Sequence, residues 1–565
     1  MRDYFKAKFF LILVGFLILP FFVCADSLGQ KQVFYIASEH DLTERTQITA
    51  VLQEKTSQLY FYIDNNWWVN LDSSEQSKIK SALSSLSSEF ENKIYPVLTS
   101  TYGFEWKPGI DNDKRITILI HPMKQGVNGY IRTEDEYPRI QAPYSNMREM
   151  IYLNANNITV PLAKSFLAHE FMHLISFNQK EKQYGIEEEI WLNEARSEYA
   201  PTLLGYDDVY QGSNLERRVQ IFLKYPNDSI TEWKNKEADY GGLNLFIQYL
   251  VDHYGKEILV DSLHYSGKGI ESINYALRKH GFKKNFTQIF EDWLNAVFIN
   301  DCSIGEEYCY LNENLKSFRV VPSLNFLPFA GESSLTIQHS IKDWSGRWYK
   351  IMGGRGDLNL EFDGSDNGEF KVSYFLCDMS NNCSLKFLSL DKEQKANIVV
   401  SDFDKKYAFL TLVLTSQKKT TGFSQSEITY PFTLKAGTVQ AEEQRIKALL
   451  AQIAALKAEI ARLQAQIQAI LQKREHKRCG KFENNLYYGL RSKEVRCLQE
   501  FLRSQGPSIY PEGIVSGWFG PLTRSAVIRF QEKYASEILA PYGLTKGTGF
   551  VGPRTRAKIN QILAK

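Results

Sequence analysis

The strongest constraint on the fold of this chain is residues 166–177, an apolar run interrupted by His169, Glu170, His173 and Ser176. An α-helix has about 3.6 residues per turn, so His169 and His173 lie one above the other on one helix face. Both imidazoles can then bind one tetrahedral metal ion, with Glu170 beside its open position. The apolar flanks predict a buried helix, where imidazoles and a carboxylate are costly unless they are paired or bind metal.

A catalytic zinc site needs a third protein ligand and keeps its fourth position for water. We predict Glu194 as this ligand, in the stretch WLNEARSEYA at residues 191–200. Glu198 lies four residues further along and therefore on the same helix face, where it is predicted to accept the second N–H of a metal-bound histidine, His169. Three glutamates just before this helix remain alternative ligands: Glu187, Glu188 and Glu189.

HEFMH followed by WLNEARSEYA resembles the gluzincin clan of metallopeptidases, to which thermolysin and the aminopeptidase N family belong. The resemblance implies an α+β peptidase fold with zinc bound by His169, His173 and Glu194. Within the clan, the two stretches look most like the hyicolysin-type secreted peptidases. The metzincin peptidases need a third histidine soon after the motif, and residues 174–190 contain none.

The resemblance also implies that the chain hydrolyses peptide bonds by a metal-activated water, with Glu170 as the general base. A further donor should stabilise the oxyanion as charge develops. Tyr240, in the stretch DYGG, resembles the neighbourhood of the transition-state tyrosine in aminopeptidase N relatives. His253 is the alternative donor, because thermolysin relatives use a histidine.

The chain opens with a basic stretch, an apolar run over residues 9–23 and a small-residue cleavage site, Val23-Cys24-Ala25. This pattern predicts a secretory signal peptide at residues 1–25 and a secreted, extracytoplasmic protein. An uncleaved N-terminal anchor remains an alternative, because the same basic flank and apolar core would serve it.

The cysteine content supports an oxidising compartment, and the net charge limits the possible binding partners. Six cysteines follow the signal segment, and proximity in sequence predicts three local disulfides: Cys302 with Cys309, Cys377 with Cys383, and Cys479 with Cys497. The formal net charge is only +2 over 565 residues, which argues against a nucleic-acid partner.

The chain is long enough for several domains. Residues 26–310 are predicted to form the peptidase domain, with strands at 33–37, 58–64, 115–121 and 150–154, a helical stretch at 75–98, and mainly helices after the metal motif. An edge strand close to the metal helix is expected to bind substrate by strand addition. Residues 311–439 change to short alternating runs between Gly, Asp, Asn and Ser clusters, which predicts an all-β sandwich.

Residues 440–475 predict a coiled coil of four heptads, because isoleucine or leucine recurs at the spacing of core positions. The pattern favours a parallel homodimer, and a lone helical spacer remains an alternative. As a helix, 28 residues span roughly 40 Å, so we expect the segment to hold the peptidase at a distance from the C-terminal domain. The repeating positions are Ile446, Leu449, Ile453, Leu456, Ile460, Leu463, Ile467 and Ile470.

Residues 477–565 resemble the peptidoglycan-binding domain family, whose GxFGxxTxxAVxxFQ motif matches residues 517–531. A helix of the VxxLQxxL type precedes it at residues 495–502, and a shorter echo of the motif follows at residues 549–555. The resemblance implies a small all-α domain that binds cell-wall peptidoglycan. Trp518, Tyr510 and Tyr542 are candidates for stacking on sugar rings.

Three functions fit this sequence. The favoured one is a secreted, wall-associated zinc endopeptidase acting on a protein or peptide substrate. The alternatives are a catalytically inactive structural or adhesion protein bound to the wall, and a hydrolase of the peptide stems of peptidoglycan. The presence of Glu170 favours an enzyme, because an inactive fold has no physical need for the base.

Overall fold

The computed structural model describes residues 25–329, 333–423, 428–439, 449–460, 462 and 479–564. The predicted signal peptide falls almost wholly outside this part of the chain. Within the described ranges, no helix is both long enough and apolar enough to cross a membrane.

A six-stranded mixed sheet forms the N-terminal part of residues 26–310, the predicted peptidase domain (hereafter the peptidase region). Its strands follow the order β1-β2-β3-β4-β6-β5, with parallel pairing only between β3 and β4 and between β4 and β6. The central strands β3, β4 and β6 are buried along their whole length, which suits a sheet covered on both faces. The six strands are Lys31–Tyr35 (β1), Gln47–Lys55 (β2), Leu59–Asp64 (β3), Ile116–His121 (β4), Gly129–Tyr130 (β5) and Met150–Asn154 (β6).

Four of these strands were predicted, whereas β2 and β5 were not. The edge strand nearest the metal helix is β5, and the predicted strand at 150–154 is β6, one position inside the sheet. A two-residue strand leaves no periodic signal in a sequence, so only its pairing with Leu153 and Tyr152 reveals it.

Ten α-helices build the remainder of the described peptidase region. The predicted helical stretch 75–98 consists of a helix at Ser73–Glu89, a π-helical turn at Phe90–Ile94, and the start of a helix at Tyr95–Tyr102. A second π-helical turn, Phe177–Lys182, extends the helix Ala163–Ser176 at its C-terminus. The helices are Asn65–Val69 (α1), Ser73–Glu89 (α2), Tyr95–Tyr102 (α3), Ala163–Ser176 (α4), Ile190–Leu203 (α5), Asn214–Lys224 (α6), Glu237–Tyr254 (α7), Glu257–Leu263 (α8), Gly269–Lys279 (α9) and Phe286–Ile299 (α10).

Two facing sheets follow, as the alternating pattern of residues 311–439 predicts. One sheet has the order β13-β10-β15-β8 and the other β12-β11-β14-β9-β7. Pairing is antiparallel except between β7 and β9, and a short helix, Phe403–Lys406 (α11), precedes β14. The strands are Ser323–Leu327 (β7), Ser333–Lys342 (β8), Arg347–Gly353 (β9), Asp357–Gly364 (β10), Phe370–Cys377 (β11), Cys383–Phe387 (β12), Lys395–Val400 (β13), Phe409–Ser416 (β14) and Thr429–Val439 (β15).

The sandwich and the peptidase region share a hydrophobic core. Trp344, in the loop between β8 and β9, is fully buried and packs against Phe286 and Phe290 of α10 at ring distances of 5.1 and 5.4 Å. Its carbonyl accepts a 2.9 Å hydrogen bond from the backbone N–H of Ile230. The packing therefore continues past residue 310, and the sandwich supports the helices of the peptidase region.

Replacing Trp344 should test this shared core. We expect Trp344→Ala to lower the free energy of unfolding of the peptidase region by about 3 to 5 kcal/mol, because it leaves a cavity between α10 and the sandwich. Chemical denaturation of the full chain measures the change. Leu324→Ala, on the exposed face of β7, is the control and should change stability by less than about 0.5 kcal/mol; equal effects of the two substitutions would contradict a shared core.

The predicted coiled coil is only partly described. Residues 449–460 and 462 are helical, whereas 440–448, 461 and 463–475 lie outside the described residues. The described core positions of the heptads, Leu449, Ile453, Leu456 and Ile460, have 49 to 61% of their surface exposed. Pairing of this apolar stripe with a second copy stays a prediction.

The C-terminal domain is a compact helical unit with its own core. The core includes Leu498, Phe519, Val527 and Phe530. All three predicted disulfides are formed, and the Cys479–Cys497 bond ties the start of this domain to its first helix. The helices are Lys493–Ser504 (α12), Pro521–Lys533 (α13), Ala535–Ile538 (α14) and Pro553–Leu563 (α15).

The C-terminal domain lies against the peptidase region, in contrast to the separation expected from a helical spacer. The hydroxyl of Tyr488 donates a 2.8 Å hydrogen bond to Glu181, in the π-helical turn after α4. The prediction that the helical spacer keeps the two domains apart is therefore wrong for this structure. The length of a spacer limits how far two domains can separate, but it does not prevent them from touching.

Candidate metal centre

Helices α4 and α5 bring the predicted ligands together. The Nε2 atoms of His169 and His173 lie 3.2 Å apart. The carboxylate of Glu194 faces both, with Oε2 at 3.2 Å from His169 Nε2 and Oε1 at 3.7 Å from His173 Nε2. One ligand atom from each of the three residues thus lies within 4.8 Å of the others, a spacing compatible with a single bound ion.

The other nitrogen of each imidazole has its own partner on α5. His169 Nδ1 lies 3.3 Å from Glu198 Oε1, and His173 Nδ1 lies 3.1 Å from the hydroxyl of Ser197. These contacts fix the ring orientations and turn both Nε2 atoms towards Glu194. Glu198 is therefore where the spacing predicted it, whereas the contact of Ser197 was not predicted.

Glu198 is buried and held by residues from two further helices. Arg218 of α6 donates through Nε at 2.7 Å and through Nη2 at 2.5 Å to its two carboxylate oxygens. Asn244 of α7 donates to the same carboxylate at 3.1 Å. A buried carboxylate needs such compensation, and a bidentate arginine supplies both charge and orientation. The arginine also holds the pKa of Glu198 well below its usual range, despite the opposing effect of burial.

The two histidines differ in electrostatics although they are neighbours. Burial lowers the pKa of His169, but hydrogen bonds to Glu194 and Glu198 outweigh burial and raise it to about 10. His173 has a pKa lowered to about 4, chiefly by burial. The carboxylates of Glu194 and Glu198 thus favour the protonated form of His169, whereas burial favours the neutral form of His173.

Glu170 lies on the sheet-facing side of the same helix. Burial raises the pKa of its carboxyl to about 8. A Cβ atom on Gly129, in the edge strand β5, would lie 3.0 Å from Glu170 Oε1 and 2.9 Å from the carbonyl oxygen of Tyr152. Glycine at this position therefore lets the edge strand pass close to Glu170, a constraint that was not predicted from the sequence.

Tyr240 lies at the same centre, at the start of α7. Its ring packs against Trp233 at 4.8 Å, and the guanidinium of Arg218 stands 4.3 Å from the ring centre. Burial, followed by the carboxylate of Glu194, raises the pKa of the Tyr240 hydroxyl well above its usual value, so the hydroxyl keeps its proton.

His253 lies elsewhere. Its Nε2 is 2.9 Å from the carbonyl oxygen of Cys309, in the loop closed by the Cys302–Cys309 disulfide, and its ring packs on Tyr249. This histidine is thus engaged with the disulfide loop rather than with the two histidines of α4.

Two of the alternative glutamate ligands also have other partners. Glu188 accepts a 2.9 Å hydrogen bond from Arg196, and Glu189 accepts one of 2.8 Å from the indole N–H of Trp191. Glu189 also accepts a 2.8 Å bond from the backbone N–H of Gly422, so the sandwich contacts the start of α5 directly. Glu187 does not belong to the group of possible metal ligands around His169.

Comparison with known proteins supports two parts of this picture. Residues 491–559 match a putative peptidoglycan binding domain, which confirms the resemblance seen in the C-terminal sequence. The chain is also 27% identical over 252 residues to the neutral metalloprotease ShpI of Staphylococcus hyicus. That match covers 38% of this chain and 52% of the relative, so the chain spans about half the length of this curated protein.

Similarity to solved structures is weak. PliG, the periplasmic inhibitor of g-type lysozyme from Aeromonas hydrophila, is 13% identical to this chain, with a TM-score of 0.15. The match covers 20% of this chain and 97% of the PliG chain. The pre-peptidase C-terminal domain of a Bacillus anthracis collagenase is 11% identical, with a TM-score of 0.14. That match covers 20% of this chain and 96% of the collagenase domain. These scores lie far below 0.5, and no conclusion about the fold rests on them.

Proposed function

We propose that this chain is an extracytoplasmic zinc metallopeptidase of the gluzincin type that cuts peptide bonds while associated with the cell wall. The convergence of His169, His173 and Glu194 carries the proposal. The distant relationship to a neutral metalloprotease supports peptide hydrolysis, and the peptidoglycan-binding domain supports a location at the wall.

The donor set fits zinc. Two imidazole nitrogens and one carboxylate oxygen form a ligand set found in catalytic zinc sites. Glu194 Oε2 is buried and lies 3.2 Å from His169 Nε2. A buried carboxylate oxygen needs a positive partner, and a metal ion bound between Glu194 and the two histidines would supply it. The contacts of Glu198 and Ser197 with the opposite nitrogens are the usual support of metal-binding histidines.

The protein's own groups account for the remaining chemistry. Zinc, when bound, lowers the pKa of water and polarises a scissile carbonyl. In its ionised form Glu170 accepts the proton of the attacking water and then delivers it to the leaving amine. The hydroxyl of Tyr240 donates a hydrogen bond to the oxyanion. Strand β5, at the open edge of the sheet beside Glu170, binds the substrate backbone as an added strand.

The full mature chain should hydrolyse casein in the presence of zinc, and a chelator should abolish the activity. Readdition of zinc should restore it. A full chain that contains zinc and cuts neither casein nor purified wall would favour the inactive wall-bound protein. Release of stem peptides from purified wall without cleavage of casein would instead favour a peptidoglycan hydrolase.

A further inference from the structure

The first half of the C-terminal domain is organised around a buried glutamine. Gln499 of α12 donates through Nε2 to the carbonyl oxygen of Trp518 at 2.7 Å and to the hydroxyl of Thr523 at 2.8 Å. Its Oε1 accepts a 2.7 Å bond from the backbone N–H of Gly517. The glutamine thereby fixes the turn that presents the Trp518 side chain.

The second half repeats this arrangement in the echo of the motif. Gln531 of α13 donates to the carbonyl oxygen of Phe550 at 2.8 Å and to the hydroxyl of Thr555 at 3.1 Å. Its Oε1 accepts a 2.9 Å bond from the backbone N–H of Gly549. Phe550 therefore occupies the position in the second half that Trp518 occupies in the first.

Each of these aromatic residues is paired with a tyrosine from the segment before α12. Tyr488 lies 6.1 Å from Trp518, and Tyr487 lies 6.5 Å from Phe550 with the ring planes only 26° apart. Tyr488 lies in a turn in which the backbone N–H of Leu490 donates to the carbonyl oxygen of Tyr487 at 3.2 Å. The domain thus carries two similar aromatic pairs, each with one of these two tyrosines.

Tyr488 of the first pair contacts the peptidase region, where its ring lies 5.0 Å from that of Tyr137. Glu181 accepts hydrogen bonds from Tyr488 at 2.8 Å and from Tyr137 at 2.7 Å, so one carboxylate joins the two domains. The guanidinium of Arg524 stands 5.5 Å from the ring centre of Tyr137. This contact falls on the π-helical turn that leads out of the metal-binding helix α4.

The Tyr487/Phe550 pair remains exposed. Tyr487 has 48% of its surface accessible and Phe550 has 40%. Exposed aromatic rings side by side form an apolar surface of the kind that marks a ligand-binding site, and the C–H face of a pyranose ring is apolar.

We propose that the Tyr487/Phe550 pair binds the glycan strand of peptidoglycan, while Tyr488 holds the C-terminal domain on the peptidase region. The proposal rests on the wall association proposed above and assigns it to one surface. In this arrangement the peptidase is held directly beside the wall polymer rather than at the end of a helical spacer.

Sedimentation of the full chain with insoluble peptidoglycan tests the assignment. The double variant Tyr487→Ala/Phe550→Ala should raise the apparent Kd at least tenfold, while Tyr487→Phe, which keeps the ring, should bind like the unchanged protein. Tyr488→Ala removes the hydrogen bond to Glu181 and should leave wall binding unchanged. Soluble N-acetylglucosamine oligomers should compete with the wall.

The outcomes separate this inference from the proposed function. If the unchanged protein fails to sediment, wall association itself is refuted, and this inference with it. If the unchanged protein sediments and Tyr487→Ala/Phe550→Ala sediments equally well, only the assignment to this surface is refuted. Loss of binding in Tyr488→Ala, or no competition by the sugar oligomers, would likewise overturn it. Circular dichroism and thermal unfolding confirm that each variant is folded.

Discussion

Glu170→Gln should lower the rate of casein hydrolysis by about 10² to 10⁴-fold and leave the zinc content unchanged. The substitution keeps the size and position of the side chain beside Gly129 but removes its ability to accept a proton. The metal ligands are other residues, so their contacts are preserved. Steady-state kinetics and metal analysis of the same preparation measure both effects.

The control for this prediction is the same substitution at an exposed position. Glu237→Gln, at the start of α7, should change neither activity nor zinc content, because 57% of its side chain is accessible. Hydrolysis by Glu170→Gln at the rate of the unchanged protein would show that another group is the base. Loss of zinc from Glu170→Gln would show that Glu170 binds the metal.

Tyr240→Phe should lower kcat by about 10² to 10³-fold with little change in KM. A hydrogen bond made mainly to the oxyanion contributes to the transition state and not to substrate binding. The packing of the ring against Trp233 and Arg218 does not involve the hydroxyl, so phenylalanine should retain the local structure. Separate measurement of kcat and KM distinguishes this role from a structural one.

His253→Gln serves as the matched comparison, because this histidine was the alternative donor in the sequence. Its hydrogen bond to Cys309 places it in the disulfide loop, so kcat should stay within about twofold of the unchanged protein. A large fall in kcat for His253→Gln together with normal kinetics for Tyr240→Phe would reverse the assignment.

The part of the site built from short-range spacing could be predicted from the sequence. His169 and His173 are one helical turn apart, as are Glu194 and Glu198, so helical periodicity places each pair on one face. The three disulfides also followed from proximity in the chain. Spacing alone does not show that the two helices lie side by side. That prediction came from the resemblance to a known clan.

Residues that reach the site from distant elements could not be predicted. Arg218 and Asn244 approach Glu198 from α6 and α7, and neither has a sequence pattern that distinguishes it from an ordinary polar residue. Gly129 lies in a strand of two residues, which is too short to show alternation. Only the folded structure shows that these three residues reach the site.

The contacts between the domains also could not be predicted from the sequence. The apolar residues around Trp344 fit the alternation of a separate sandwich, and nothing in that pattern shows that they fill the core of another region. Similarly, the heptads after residue 440 indicate a helix but do not determine where Tyr488 docks. Long-range contacts between regions are set by shape and burial, which local periodicity does not report.

Zinc content per chain after exhaustive dialysis, measured for the unchanged protein and for Glu194→Ala, tests the central claim most directly. We expect one zinc per chain in the unchanged protein and substantially less in Glu194→Ala, because that substitution removes one of three protein ligands. A folded, unchanged protein that takes up no zinc, or Glu194→Ala that retains one zinc per chain, would contradict the assignment of His169, His173 and Glu194 as the metal centre.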